Sequence, residues 1–196
     1  SAHKQPIILE IGAGNGTLLF ALAEAGYAPR TLCGIDYSAD AVALARSIAK
    51  ARGNGLEEIT FEERDFLHDE VRGLVGGTNA GSENPAAAES EGGSVAVWDL
   101  ILDKGTYDAI ALGEKDDRGL SPAAKYPARV ARLLKPGGFF LITSCNFTEE
   151  ELKASFTADG TLKYHSRVKH RTFSFGGQSG SVVCTVAFRR IGEASP

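Results

Sequence analysis

Short apolar runs and helical patterns take turns along most of the chain. The run Pro6-Ile7-Ile8-Leu9 gives way to a glycine-rich turn. Leu18, Leu19, Leu22 and Ala25 then recur at helical spacing over 16–25, with Gly26 placed to end the helix. A second apolar run over 31–35 closes on Asp36. Ser38 caps the next helix, whose apolar face is Ala41, Leu44, Ala45 and Ile48, and Gly53 with Gly55 stops it. Further strands are predicted at 59–64, 96–102 and 139–143. The last two flank a helical region that Ser121-Pro122 opens and that turns Val130, Leu133 and Leu134 toward the sheet. Pro127 falls inside that region, so the helix kinks or starts afresh there, and Lys135-Pro136-Gly137-Gly138 ends it. Thr148 caps one more helix, with Glu149, Glu150 and Glu151 in its first turn. Strands that alternate with helices in this way predict an α/β fold built on a parallel sheet.

Beyond residue 161 the period changes. Lys163, His165, Arg167, Lys169 and Arg171 alternate with Leu162, Tyr164, Ser166 and Val168, which predicts an edge strand with a basic outward face. Such a face discourages pairing between sheets; a docking surface for an acidic partner is the other reading. Residues 172–180 read as a connector, and 181–188, apolar on both faces, as a central strand antiparallel to the first. Residues 73–94 have only Leu74 and Val75 as sizeable apolar side chains, too little to offset the entropy of ordering. That stretch is expected to be a mobile insertion in a single domain spanning residues 1–196.

The chemistry concentrates in Leu9-Glu10-Ile11-Gly12-Ala13-Gly14-Asn15-Gly16. A strand, a glycine-rich turn and a helix let a ligand press against bare backbone, and Asp36 at the end of the next strand is placed to accept from a ribose hydroxyl. A nucleoside-containing cofactor is the expectation. The dinucleotide fingerprint G-x-G-x-x-G does not fit, because Thr17 stands where its third glycine belongs and no partner for a pyrophosphate is evident. Asp36, Asp65 and Asp103 each follow a predicted strand, and in an open parallel sheet ligands bind beyond those carboxyl ends.

The pattern E-x-G-x-G-x-G resembles motif I of the class I S-adenosylmethionine-dependent methyltransferases. Asp103-Lys104-Gly105-Thr106-Tyr107-Asp108-Ala109-Ile110, Leu141-Ile142-Thr143-Ser144-Cys145-Asn146 and Phe173-Ser174-Phe175-Gly176-Gly177-Gln178-Ser179-Gly180 narrow the resemblance to the lysine methyltransferases that modify elongation factor 1-alpha. It covers nearly the whole chain apart from 73–94. The implied fold is a Rossmann-like, seven-stranded, mostly parallel sheet with an antiparallel C-terminal strand pair, and the implied cofactor is S-adenosyl-L-methionine. By the same resemblance, Glu10, Gly12, Ala13, Gly14, Gly16, Asp36, Tyr37, Asp65, Phe66 and Asp103 contact the cofactor, with Asp65 accepting from the adenine amino group. Asp103 is also expected to orient the incoming ammonium, Tyr107 and Phe175 to wall the lysine stem, and Asn146 to hold the amine. Two departures stand out. The helices that usually precede the first strand are absent, so an N-terminal cap region is expected to have been removed, and Pro127 interrupts a helix that is usually continuous.

Bulk properties agree with an enzyme of this kind. A chain of 196 residues, 43% hydrophobic and 23% charged, is of ordinary globular composition. The net charge of −4 argues against nucleic acid as the main partner and suits a basic protein or a neutral ligand. Three scattered cysteines and four histidines show no metal-ligand spacing, and methyl transfer from a sulfonium requires no metal. No apolar run reaches membrane-spanning length, and a cytoplasmic monomer is expected. The rival functions are a methyltransferase for another protein or a small molecule, a nicotinamide-dependent dehydrogenase, and a cofactor-binding module without turnover.

Overall fold

The computed structural model describes residues 5–71, 73–74, 97–115, 117–170 and 183–192, and the backbone alone of 173–175 and 178–180. Its strands are β1 (Ile8–Ile11), β2 (Leu32–Asp36), β3 (Thr60–Glu63), β4 (Trp98–Lys104), β5 (Leu134–Ser144), β6 (Leu162–Val168), β7 (Phe173–Phe175), β8 (Gln178–Gly180) and β9 (Cys184–Arg190). Its α-helices are α1 (Thr17–Glu24), α2 (Ala39–Arg52), α3 (Thr106–Ala111), α4 (Tyr126–Leu133) and α5 (Glu149–Phe156). Seven strands form one sheet in the order β3-β2-β1-β4-β5-β9-β6, while β7 and β8 pair separately as a short ribbon. Strands β1 to β5 run parallel, and β9 is antiparallel to both β5 and β6. From β1 the chain proceeds outward through β2 and β3 on one side and through β4 and β5 on the other. The boundary between β1 and β4 is therefore the switch point, beyond which a ligand crevice opens.

Both faces of the sheet are covered. Ile8, Leu19, Phe20, Leu32, Val42, Ala45, Phe61 and Leu102 form the core beneath α1 and α2. Leu9, Ile11, Trp98, Ile101, Tyr126, Val130, Phe140, Phe156 and Phe188 form the larger core beneath α3, α4 and α5. Alternate residues of β1 enter opposite cores, as the pleat requires. Gly34 in β2 permits a close approach: a Cβ there would lie 2.6 Å from the Ala13 Cβ and 2.9 Å from Leu19 Cδ1.

Several boundaries differ from the sequence reading. Lys135-Pro136-Gly137-Gly138 ends α4 but already belongs to β5, in a stretch where the pairing with β4 slips between Trp98 and Leu100. The irregularity accommodates a proline that cannot donate to the ladder. Helix α4 starts afresh at Tyr126 with Pro127 in its first turn, where the missing amide is harmless. Helix α3 went unpredicted because six residues are too few to show a period. The segment read as a connector contains β7 and β8.

The edge strand β6 also departs from simple alternation. Its register against β9 slips between Tyr164 and Ser166, leaving His165 as the extra residue of a bulge. Arg167 consequently stands opposite Val186, on the face where Tyr164 meets Phe188, while Lys163 stands on the other. The basic residues expected on one face are thus divided between two. Of the expected insertion, residues 75–94 lie outside the described residues, and Leu74 packs against the larger core. Among the described residues no helix is long and apolar enough to cross a membrane.

Candidate active site

Past Ile11 the backbone turns through Gly12, Gly14 and Gly16 with φ of +71°, +54° and +82°. The loop spends its own amides. Gly12 and Ala13 both donate to the Ile35 carbonyl at 2.8 and 2.9 Å, and Gly16 donates to Ala13 at 2.9 Å. Gly14 donates to Asp36 Oδ2 at 2.9 Å, while Asp36 Oδ1 accepts from the Ser38 amide at 2.9 Å. A pyrophosphate would find those four amides already committed and a carboxylate facing it. Thr106, at the start of α3, fills the hollow at Gly12 and donates from Oγ1 to the Ile11 carbonyl at 2.9 Å. At Gly14, by contrast, a Cβ would meet nothing within 4 Å.

Between this loop, the ends of β2 and β3, and α3 lies a cleft of about 310 Å³. Ile35, Phe66, Ala109 and Ile110 give it apolar walls, and Tyr37, 81% exposed, and Asp65 stand at its rim. Burial would raise the Asp65 pKa, but the hydrogen bonds from His68 (2.8 Å) and the Leu67 amide (2.8 Å) outweigh it and hold the carboxyl below its ordinary value. Glu10 is only 3% exposed, and its Oε2 has no hydrogen-bond partner among the described residues. Burial pushes its pKa up to about 8 against the pull of the Lys104 charge, with Asp103 and Asp36 pushing the same way as burial.

Asp103 and Tyr107 are both buried. Asp103 is 2% exposed; its Oδ1 accepts from the Thr106 amide and its Oδ2 from the Tyr107 amide, both at 3.0 Å, and Oδ2 also accepts from the Tyr126 hydroxyl. Burial raises its pKa to about 6 despite those three bonds. The carboxylate therefore closes the N-terminus of α3 from behind the cleft wall. The Tyr107 ring is buried among Phe156, Phe147 and Tyr126, at centroid separations of 5.0, 5.2 and 5.3 Å, and so supports an aromatic core.

A second cleft, of about 500 Å³, opens where β5 ends, β9 begins and β6 ends. Asn146, exposed in the turn between β5 and α5, stands on its wall with Thr185 and His170. Glu149 also lines it, but accepts from Lys153 at 2.8 Å and Arg167 at 3.2 Å. The side chain of Phe175 falls outside the described residues. No group of three histidine, cysteine or carboxylate side chains among the described residues is arranged to hold a metal ion. Two contributors escaped the sequence reading. Thr106 carries no signal beyond its place in the motif, and Asp108, buried within α3, has partners in the turn after β5 that no local pattern announces.

Residues 2–185 match the family described as methyltransferase domain. Protein-lysine N-methyltransferase EFM4 of Saccharomyces cerevisiae is 37% identical over 182 residues, which cover 92% of this chain and 69% of the yeast protein. EEF1A lysine methyltransferase 2 of Homo sapiens is 34% identical over 192 residues, covering 96% of this chain and 69% of the human protein. Among solved structures, the N-methyltransferase NodS from Bradyrhizobium japonicum, in complex with S-adenosyl-L-homocysteine, superposes with a TM-score of 0.60. That match has 18% identity and covers 93% of this chain and 76% of the other; it speaks to the fold alone.

Proposed function

The chain belongs to the methyltransferase-domain family, on the branch of EFM4 and EEF1A lysine methyltransferase 2, and from that premise we propose that it methylates a lysine of elongation factor 1-alpha with S-adenosylmethionine as donor. The observation that carries the cofactor assignment is the buried Glu10 carboxyl, whose Oε2 has no hydrogen-bond partner among the described residues, beside a loop whose amides are spent. Such a site suits a cationic ligand and repels a phosphate. When bound, the cofactor supplies a methyl group on a positively charged sulfur. In this reading Asp36, at the end of β2, accepts from its ribose hydroxyls, Phe66 and Ile110 flank its adenine, and Asp65 accepts from the adenine amino group. Glu10 answers the positive charge at its methionine end.

The acceptor enters through the larger cleft. A free lysine has a pKa of about 10.4, so the site must favour the neutral amine, orient it and keep water out. Asn146 stands on the wall of that cleft and in this reading accepts from the amine. Asp103 and Tyr107 act from behind, by fixing α3. This reading describes a cytoplasmic monomer with a protein substrate and no need of nucleic acid or membrane.

The direct test incubates methyl-labelled S-adenosylmethionine with the protein and with cytosolic extract. Label on a lysine of elongation factor 1-alpha is the expected result. Label confined to small molecules or to other proteins would overturn the acceptor assignment, and cofactor binding with no transfer at all would indicate a binding module. A second expectation concerns Asp36. Asp36→Ala should weaken S-adenosylhomocysteine binding roughly thirtyfold in a calorimetric titration, since hydrogen bonds to a charged group are worth about 2 kcal/mol. An affinity within about twofold of the parent would remove Asp36 from the cofactor site.

A further inference from the structure

We propose that Asp108 is the positioning residue of the acceptor side: it holds the turn that presents Asn146 and thereby sets where the incoming amine stands relative to the methyl donor. The inference rests on the methyl-transfer reading above and adds to it a residue outside both clefts. Asp108 is 5% exposed, within α3. A carboxylate so buried must be satisfied by hydrogen bonds, and Asp108 finds them across the sheet end. Its Oδ1 accepts from the Ser144 hydroxyl at 2.5 Å and its Oδ2 from the Cys145 amide at 2.8 Å. The same Ser144 oxygen then accepts from the amides of Asn146 at 3.1 Å and Phe147 at 2.9 Å.

Three consecutive amides, 145–147, are thus held by one carboxylate and one hydroxyl. They lie between the last residue of β5 and the Thr148 cap of α5, where neither the ladder nor the helix supplies them with a carbonyl. The turn's conformation is set from α3, and with it the direction of Asn146 into the 500 Å³ cleft. Phe147 is docked by the same turn against Tyr107, at 5.2 Å between centroids.

Helix α3 is also a wall of the cofactor cleft. Its first turn is closed by Asp103 and pinned to the glycine loop by Thr106, and Ala109 and Ile110 face the smaller cleft. One short helix therefore lines the smaller cleft directly and, through Asp108, holds the turn on the wall of the larger one. Displacing a reacting group by about 1 Å can cost about a hundredfold in rate, so a bond two residues removed from the chemistry is expected to matter.

The test uses Asp108→Asn in the full chain, with Ser144→Ala as the companion variant. Asparagine keeps the size but loses the charge, and one of its two ends can no longer accept. Amide exchange at Cys145, Asn146 and Phe147 should quicken by about tenfold or more, while exchange in the Gly12–Gly16 loop stays as in the parent. The kcat for elongation factor 1-alpha should fall about tenfold or more with S-adenosylhomocysteine affinity within about twofold. Ser144→Ala should give the same pattern, and the double variant should be little worse than either single one, because both act on one unit. Unchanged exchange at 145–147, unchanged kcat, or cofactor affinity that falls in step with kcat would each overturn the proposal. A parent protein that methylates no elongation factor, yet whose variants show the exchange pattern, would instead refute the acceptor assignment and leave the held turn standing.

Discussion

Gly12→Ala is expected to abolish cofactor binding and to destabilise the fold by about 3 kcal/mol, combining overpacking with a left-handed backbone. At Gly12 a Cβ would lie 1.9 Å from Thr106 Oγ1 and 3.0 Å from its Cβ, and φ is +71°. Neither the loop nor α3 can yield cheaply. Gly12 and Ala13 are tied to Ile35, and Thr106 is tied to Ile11 by its hydroxyl and to Asp103 by its amide. The methyl group would therefore part the loop from α3, which are opposite walls of the same cleft. Removing the obstructing hydroxyl should restore part of the loss. In Gly12→Ala/Thr106→Ala the collision with Oγ1 disappears but the tight contact with the Cβ at 106 and the backbone strain remain, so about half of the stability should return. Urea unfolding of the two variants, with titration by S-adenosylhomocysteine, tests both statements. A single variant within about 1 kcal/mol of the parent, still binding the cofactor, would show that the hollow is not as tight as it looks.

The second large effect concerns Glu10 and runs with pH. Below about 4.5 its carboxyl is protonated in the folded and the unfolded chain alike. Between about 4.5 and 8 the unfolded chain releases the proton while the folded chain keeps it, so folding stability falls as the pH rises. Above about 8 the folded carboxyl ionises too and the loss is complete. The whole change is on the order of 5 kcal/mol. Glu10→Gln cannot ionise and should lack this slope, so in urea unfolding the variant should gain on the parent from about pH 5 to about pH 8 and level off above that. A difference that stays flat over that range would contradict the burial of an unpaired carboxyl. Binding carries the same signature. A cationic ligand draws Glu10 into its charged form, so S-adenosylmethionine should release about one proton per site near pH 7, read by calorimetry in buffers of different ionisation enthalpy. Glu10→Gln should release none from this position.

Much of the architecture was legible in the chain itself. Apolar runs at intervals, broken by helical faces, already order β1 to β5 and the helices α1, α2 and α5, because periodicity is a local property that burial simply obeys. The glycine loop and Asp36 were legible for a similar reason: positive φ at Gly12, Gly14 and Gly16 demands a particular residue type, and the bond from Gly14 to Asp36 joins neighbouring strand ends of a parallel sheet. The tertiary structure alone decided the rest. It tied Asp103 to the first amides of α3, buried Tyr107 in an aromatic core, and divided the basic residues of β6 between two faces through one extra residue, His165. It also paired Asp108 with Ser144 and Cys145, residues far apart in the chain. A side chain's type and period are written where it stands, whereas the direction of a buried carboxylate depends on whichever distant amides and hydroxyls packing brings within reach.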